Sequence, residues 1–350
     1  MSKQISRDGS AYLLKSGFGK RYLLGSQVAT IIADGASTNH LFDIVLLTGG
    51  KGDYFPPHLH RDAHEGIYVL DGRLEVSIDG KPYLLTPGDF AHIPSGIVHE
   101  YKMNSHRTRF LSFNTNGKVS PYYSVMGIPY EKGEQPPRSL KYDLKESEGP
   151  SIDIQFTKSG NENSQSALVQ NRTLPDVVQP YVLEAGEGIG LLTGDQLHKL
   201  LATQLNTNGE YIVVVTEGPN GDKIVDHYHE HHTETFYCLQ GQMTMWMNGN
   251  EVSLSPGDFL HVPPNTTHSY RLDSAYTKFI GILSPGIFEP FFRTLGDPYE
   301  DYIFPSEPGP LRFDRVLQRI EELDLKVVGG FDSKREAPSH TEVRRESLHE

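Results

Sequence analysis

Two short stretches hold histidines and carboxylates at spacings that can bind a metal ion: HLHRDAHE, from His58 to Glu65, and HYHEHHTE, from His227 to Glu234. Each sets two histidines two apart and a glutamate seven residues after the first, and a further histidine, His99 or His268, follows. Residues i and i+2 of a strand face one side, so His58 with His60, and His227 with His229, project two imidazoles at one level. Five more residues are enough to begin the next strand and bring Glu65 or Glu234 back beside them, while His99 or His268 closes the set from a later strand. Three neutral imidazoles and one carboxylate suit Mn, Fe, Co, Ni, Cu or Zn and are poor for Ca or Mg. With an octahedral-type metal, four side chains leave two positions for substrate and for a small molecule such as dioxygen or water.

A lone histidine is more often a hydrogen-bonded or surface group than a ligand. Repetition argues otherwise here: His58 and His227, His60 and His229, Glu65 and Glu234, and His99 and His268 are each 169 residues apart. His64, His231 and His232 do not share that offset and read as strand-end groups or partners of the ligands. His92 and His261 do share it, and a role in filling a barrel interior is expected for both.

The same shift superposes Tyr12 on Tyr181, Gly72 on Gly241, Pro87-Gly88-Asp89-Phe90 on Pro256-Gly257-Asp258-Phe259, and Pro129-Tyr130-Glu131 on Pro298-Tyr299-Glu300. A chain of 350 residues is therefore a duplication, each copy large enough to bury its own core. Within a copy, GIYVLDG, RLEVSIDG and KPYLL alternate apolar and polar residues, separated by Asp71-Gly72 and Asp79-Gly80, dipeptides that suit two-residue hairpins. This predicts a β-meander within an all-β fold, each half a closed β-barrel or a jelly-roll sandwich.

The expected boundaries are an N-terminal barrel at 1–131, an inter-domain linker at 132–177, and a C-terminal barrel at 178–305. At 306–330, Phe313, Val316, Leu317, Ile320 and Leu323 recur at helical spacing and predict a C-terminal helix packed on a barrel or a neighbouring subunit. The charged stretch 331–350 predicts a disordered tail.

Composition narrows the function. With 37% hydrophobic residues, 34 Gly and 23 Pro, the chain is globular and turn-rich. A net charge of −13 repels phosphate backbones and speaks against nucleic acid as a partner. No apolar run has signal-peptide or membrane-span length, so a cytoplasmic protein without a membrane partner is expected. The single cysteine, Cys238, lies in the alternating run FYCLQG and reads as a buried structural thiol.

The pattern G-x5-H-x-H-x4-E-x6-G runs from Gly52 to Gly72 and again from Gly221 to Gly241. G-x5-P-x4-H follows as Gly88, Pro94, His99 and as Gly257, Pro263, His268. These match the two cupin motifs, complete in both halves; the Asn often found after the last histidine is Met103 or Leu272, which touches no ligand. The chain resembles the bicupins, and among them the quercetin 2,3-dioxygenases of Bacillus type, over nearly its whole length, from YLLKSGFGKRYLLGSQVAT to FEPFFRTLGDPYE. The resemblance implies opening of the flavonol C ring with O2, release of carbon monoxide, and formation of a depside. It also implies one divalent transition metal per domain, Fe or Mn ahead of Co, Ni or Cu, and a jelly-roll β-barrel in each half; a homodimer is the expected assembly.

A metal-bound carboxylate beside a phenolic hydroxyl can accept its proton, so Glu65 and Glu234 are candidate general bases as well as ligands. Phe55, Pro56, Pro57, Ile67 and Phe110 are candidates for a flat apolar slot, with core packing the plainer role for each. Two rival functions share these features: another bicupin enzyme, such as an oxalate decarboxylase-like or other aromatic dioxygenase, and a non-catalytic metal or small-molecule binding cupin.

Overall fold

The computed structural model describes residue 5 and residues 8–131, 152–157 and 166–329. The stretch 331–350 and parts of the expected linker lie outside them.

Each half is a sandwich of a larger and a smaller antiparallel sheet, as the alternating sequence requires. In the first half the larger sheet orders its strands Lys20–Leu24, Gln27–Ala33, Phe42–Gly49, Thr108–Thr115, Glu65–Asp71 and Phe90–Ile93. Against it lies a smaller sheet built on Tyr54–Leu59, His99–Met103, Leu74–Ile78 and Lys81–Leu85. The second half repeats both, with Ile189–Thr193, Gln196–Ala202, Ile212–Gly218, Thr277–Ser284, Thr233–Gln240 and Phe259–Val262 facing His227–Tyr228, His268–Leu272, Met243–Met247 and Asn250–Leu254.

The expected meander is only half present. Leu74–Ile78 and Lys81–Leu85 do form a hairpin, turned by Asp79 and Gly80 at φ of 49° and 74°. Glu65–Asp71, however, lies in the other sheet, so Asp71-Gly72 is a corner between sheets and not a hairpin. Gly72 sits there at φ +80°, where a Cβ would run into the Arg107 carbonyl, so the crossing needs glycine.

The halves also exchange strands. Tyr12–Leu14 pairs with Phe259–Val262 of the second half, and Tyr181–Leu183 pairs with Phe90–Ile93 of the first. The Tyr12 hydroxyl donates to the Ile32 carbonyl at 2.9 Å and the Tyr181 hydroxyl to that of Leu201 at 2.8 Å, fastening each strand back to the half it left. The aspartates of the Pro-Gly-Asp turns join in: Asp258 accepts the Ser16 N–H and Asp89 that of Ala185. The boundaries 1–131 and 178–305 thus do not enclose closed sheets.

The expected linker is in part a component of the first barrel. Gln155–Phe156 adds to the edge of Tyr54–Leu59, and Ala167–Leu168 pairs in parallel with Lys81–Leu85. The expected C-terminal helix is short, Phe313–Gln318, followed by a 3-10 turn at Ile320–Glu322 and a strand, Lys326–Val327, paired to His227–Tyr228. Val316, Leu323 and Leu325 are buried against Leu191, Phe292 and Leu295, so this segment packs on the second half. Helix cannot continue because Lys326 and Val327 are held extended at the sheet edge. Cys238 is fully buried, and burial pushes its thiol up to about 12, in keeping with a structural role. No helix among the described residues is long and apolar enough to cross a membrane.

Candidate metal centres

His58, His99, His227 and His268 come from the smaller sheets, His60 and His229 from the chain just past the ends of Tyr54–Leu59 and His227–Tyr228, and the glutamates from the larger sheets, so each cluster lies between the two. His58 pairs across the sheet with His99, and His227 with His268. Glu65 and Glu234 each begin a strand of the opposite sheet. The structure brings together His58, His60, Glu65 and His99 in one half and His227, His229, Glu234 and His268 in the other. All eight are buried, and within each set the four potential ligand atoms lie within 4.8 Å of one another.

Backbone carbonyls fix which nitrogen each ring presents. The Nδ1 atoms of His58, His60 and His99 lie 2.9, 2.5 and 3.0 Å from the carbonyl oxygens of Pro56, Asp153 and Ile97. Those of His227, His229 and His268 lie 2.9, 2.6 and 2.8 Å from those of Val225, Asp324 and Thr266. A carbonyl only accepts, so Nδ1 carries the proton and each Nε2 turns a lone pair inward. There Glu65 Oε2 stands 2.8 Å from His99 Nε2 and 3.5 Å from His60 Nε2. Glu234 Oε2 stands 3.0 Å from His268 Nε2 and 3.6 Å from His229 Nε2.

Lone pairs at such distances repel unless a cation lies among them, either as protons on the rings or as a metal replacing those protons. The donor set therefore fits a divalent metal in each half. Burial keeps His58 well below the ordinary imidazole value and pushes His227 down to about 3, so both stay neutral and able to ligate. Burial alone would raise the Glu65 and Glu234 carboxyls. The imidazoles crowded against each carboxylate, those of His60 and His99 at the first and of His229, His232 and His268 at the second, outweigh it and hold both well below the usual carboxylate range.

Two aspartates that sequence reasoning missed complete these centres. Besides its carbonyl contact to His60, Asp153 accepts the N–H groups of Arg61, Asp62 and Ala63 on its carboxylate, tying down the turn between His60 and Glu65. Asp324 does the same for Glu230 and His231 and adds a 2.7 Å contact to His232 Nδ1. The signal was present: Ile152-Asp153-Ile154-Gln155-Phe156 and Leu323-Asp324-Leu325-Lys326-Val327 share one apolar-Asp-apolar-polar-apolar pattern.

The other histidines fall elsewhere or play supporting parts. His232 packs on His229 with ring centroids 4.1 Å apart, and its Nε2 is 3.9 Å from Glu234 Oε1. His231 is exposed, while His64 stacks on His92 and lies 3.5 Å from Glu210. His92 and His261 do not fill barrel interiors as expected. They lie under the exchanged strands, each 5.2 Å from the ring of Tyr181 or Tyr12.

Of the candidate slot residues, Phe55 meets His58 edge-on at 4.7 Å and joins Tyr122 and Phe156 as an aromatic wall beside it. Pro56 contributes its carbonyl to His58, and Ile67 and Phe110 lie in the core. On the far side of Glu65, the Ser112 hydroxyl donates to Oε1 at 2.6 Å.

Comparison with known proteins adds the following. The cupin domain family matches residues 45–113 and 213–280. Quercetin 2,3-dioxygenase of Bacillus subtilis (strain 168) is 59% identical over 327 residues, 93% of this chain and 97% of that protein. Quercetin 2,3-dioxygenase of Aspergillus japonicus is 34% identical over 130 residues, 35% of this chain and 37% of that one. Among solved structures, oxalate decarboxylase from Bacillus subtilis superposes with a TM-score of 0.53 at 15% identity, covering 79% of this chain and 77% of that one. That likeness establishes the shared fold.

Proposed function

This chain belongs to the quercetin 2,3-dioxygenase family of two-domain cupin proteins, and on that premise we propose that it opens the C ring of flavonols such as quercetin with O2, releasing carbon monoxide and a depside. The observation that carries the reading is 59% identity over 93% of the chain, in which both three-histidine, one-glutamate sets are complete. An oxalate decarboxylase-like activity rests on the fold alone and is not favoured.

His58, His60, Glu65 and His99 hold one metal ion, and His227, His229, Glu234 and His268 the other. When bound, a divalent transition metal supplies Lewis acidity toward the flavonol oxygen and a redox-capable centre for O2. The protein does the rest. The glutamate accepts the proton of the flavonol 3-hydroxyl, leaving the electron-rich flavonolate as the species that reacts with O2. Carbonyl-bound Nδ1 protons keep the imidazoles from rotating or changing tautomer while this happens. Phe55, Tyr122 and Phe156 give the first centre an apolar flank suited to a flat aromatic substrate and unfavourable to water.

The reading extends to iron or manganese as the resident metal, the cytoplasm as the compartment and a homodimer as the assembly. It is tested by mixing metal-replete protein with quercetin in air and following loss of the flavonol absorbance and evolution of CO. Absence of bleaching with every one of Mn, Fe, Co, Ni and Cu, together with turnover of oxalate, would overturn it. His58→Ala and His227→Ala, each assayed alone, assign turnover to one centre or the other.

A further inference from the structure

Behind the two glutamates the halves differ in a way that the fold does not require. Asp43, Asn114 and Glu65 lie in register across three neighbouring strands: Asn114 is the partner of Asp43 on one side and of Glu65 on the other. The same row in the second half is Ile212, Leu283 and Glu234. Ser112, two residues before Asn114 on the same face, has Gly281 as its counterpart. The second half thus builds this part of its sandwich from Ile, Leu and Gly, where the first buries Asp, Asn and Ser at 0%, 0% and 1% exposure.

Burying such groups is costly unless each is bonded. Burial pushes the Asp43 carboxyl up to about 7 even though Val119, Ser120 and Asn114 donate to it. The groups form one line leading to the metal site. The Asn114 Nδ2 donates to Asp43 Oδ1 at 3.2 Å and to Ser112 Oγ at 3.0 Å, and the Ser112 hydroxyl donates to Glu65 Oε1 at 2.6 Å. Glu65 Oε2 is thereby left to face His60 and His99. At Glu234 a glycine, Gly281, stands where Ser112 would be, and Oε1 faces His232 Nε2 at 3.9 Å instead.

We propose that Ser112, anchored by Asn114 and Asp43, is a positioning residue that fixes the Glu65 carboxylate through Oε1, and that it makes the first metal centre chemically distinct from the second. The proposal rests on the reading of Glu65 as a metal ligand that takes the substrate proton. A carboxylate pinned at one oxygen presents the other in a single orientation, both for ligation and for meeting a hydroxyl.

The test uses the full chain with the second centre emptied by His227→Ala and His229→Ala, and compares Ser112→Ala with Ser112→Thr, which keeps the hydroxyl on a strand-compatible side chain. Mn2+ binding is titrated by electron paramagnetic resonance without any flavonol, and kcat and KM are then measured on quercetin. Ser112→Ala is expected to raise the Mn2+ Kd about 10-fold, change the Mn2+ spectrum and lower kcat about 10-fold with KM nearly unchanged, while Ser112→Thr restores all three.

Unchanged affinity and spectrum in a folded Ser112→Ala protein overturn the proposal, as does a Ser112→Thr protein that behaves like the alanine. Should Ser112→Ala fail to fold, the double variant Asp43→Ile with Asn114→Leu, which imports the second half's row, decides: a weaker first centre supports the proposal and an unaltered one sinks it. If the Mn2+ arm behaves as expected and flavonol is consumed neither by this protein nor by the chain with both centres intact, the proposed function falls and the positioning role stands. If quercetin is consumed and Ser112→Ala changes nothing, only the positioning role falls.

Discussion

The backbone carbonyl of Asp153 lies 2.5 Å from His60 Nδ1, so a residue outside the duplicated motif sets the tautomer of a metal-binding histidine. Its carboxylate meanwhile gathers three N–H groups from the turn that leads to Glu65. Asp153→Ala should release that turn and weaken metal binding at the first centre about 10-fold or more, leaving the second unchanged. Asp324→Ala should do the reverse. Calorimetric titration with a divalent metal resolves the two centres; equal weakening of both by either variant would refute this division.

Metal removal should lower stability as well as activity. An ion that binds only the folded chain stabilises it by about 4 kcal/mol when present at about a thousand times its Kd. Chelation should therefore lower the melting temperature, and re-addition of metal should restore it. His58→Ala and His227→Ala should each reduce bound metal from two ions per chain to one, as read by elemental analysis.

Leu13 tests the strand exchange. It belongs to the first copy by sequence, yet it is buried with Phe236, Cys238, Leu260 and Phe279 of the second. Leu13→Ala should cost about 2–5 kcal/mol. Amide exchange should report the loss first in Phe259–Val262, the strand it pairs beside. Loosening confined to the first half would contradict the exchange.

A pH dependence follows from His198, fully buried between Thr193 and Thr216 and far from either metal centre in the sheet order. Burial pushes its imidazole down from 6.5 to about 4. Between those values the unfolded chain takes up a proton that the folded chain refuses, so this contribution to stability is whole above 6.5 and is lost as the pH falls toward 4. The loss is about 3 kcal/mol. Denaturant midpoints of the wild type and of His198→Gln, taken across this range, should show a shallower acid decline in the variant, whatever its stability at neutral pH.

The eight side chains that converge in the two clusters were legible because all of them obey one offset of 169. Asp153 and Asp324 were not, for two physical reasons. They are 171 residues apart, so the strict repeat passes over them, and Asp153 meets its histidine through a backbone carbonyl, which any residue possesses. The sandwich class followed from alternation and turns. The corner at Asp71-Gly72 did not, since Gly with positive φ serves a hairpin and a crossing between sheets alike. Nor could Tyr12 and Tyr181, though matched by the repeat, say which half each strand would join. A strand of given alternation pairs equally well with either of two related sheets.

The exchanged strands bear on how the two halves could ever be separated. Tyr12–Leu14 and Tyr181–Leu183 each cover the outer edge of a strand from the other copy. A first half produced without Tyr181–Leu183 would leave Phe90–Ile93 with unpaired N–H and C=O groups, an open template for any extended chain. Isolated halves should therefore aggregate. Mixed before they do so, they should recombine by each supplying the strand the other lacks, which makes the duplicated protein a mutually complementing pair held on one chain.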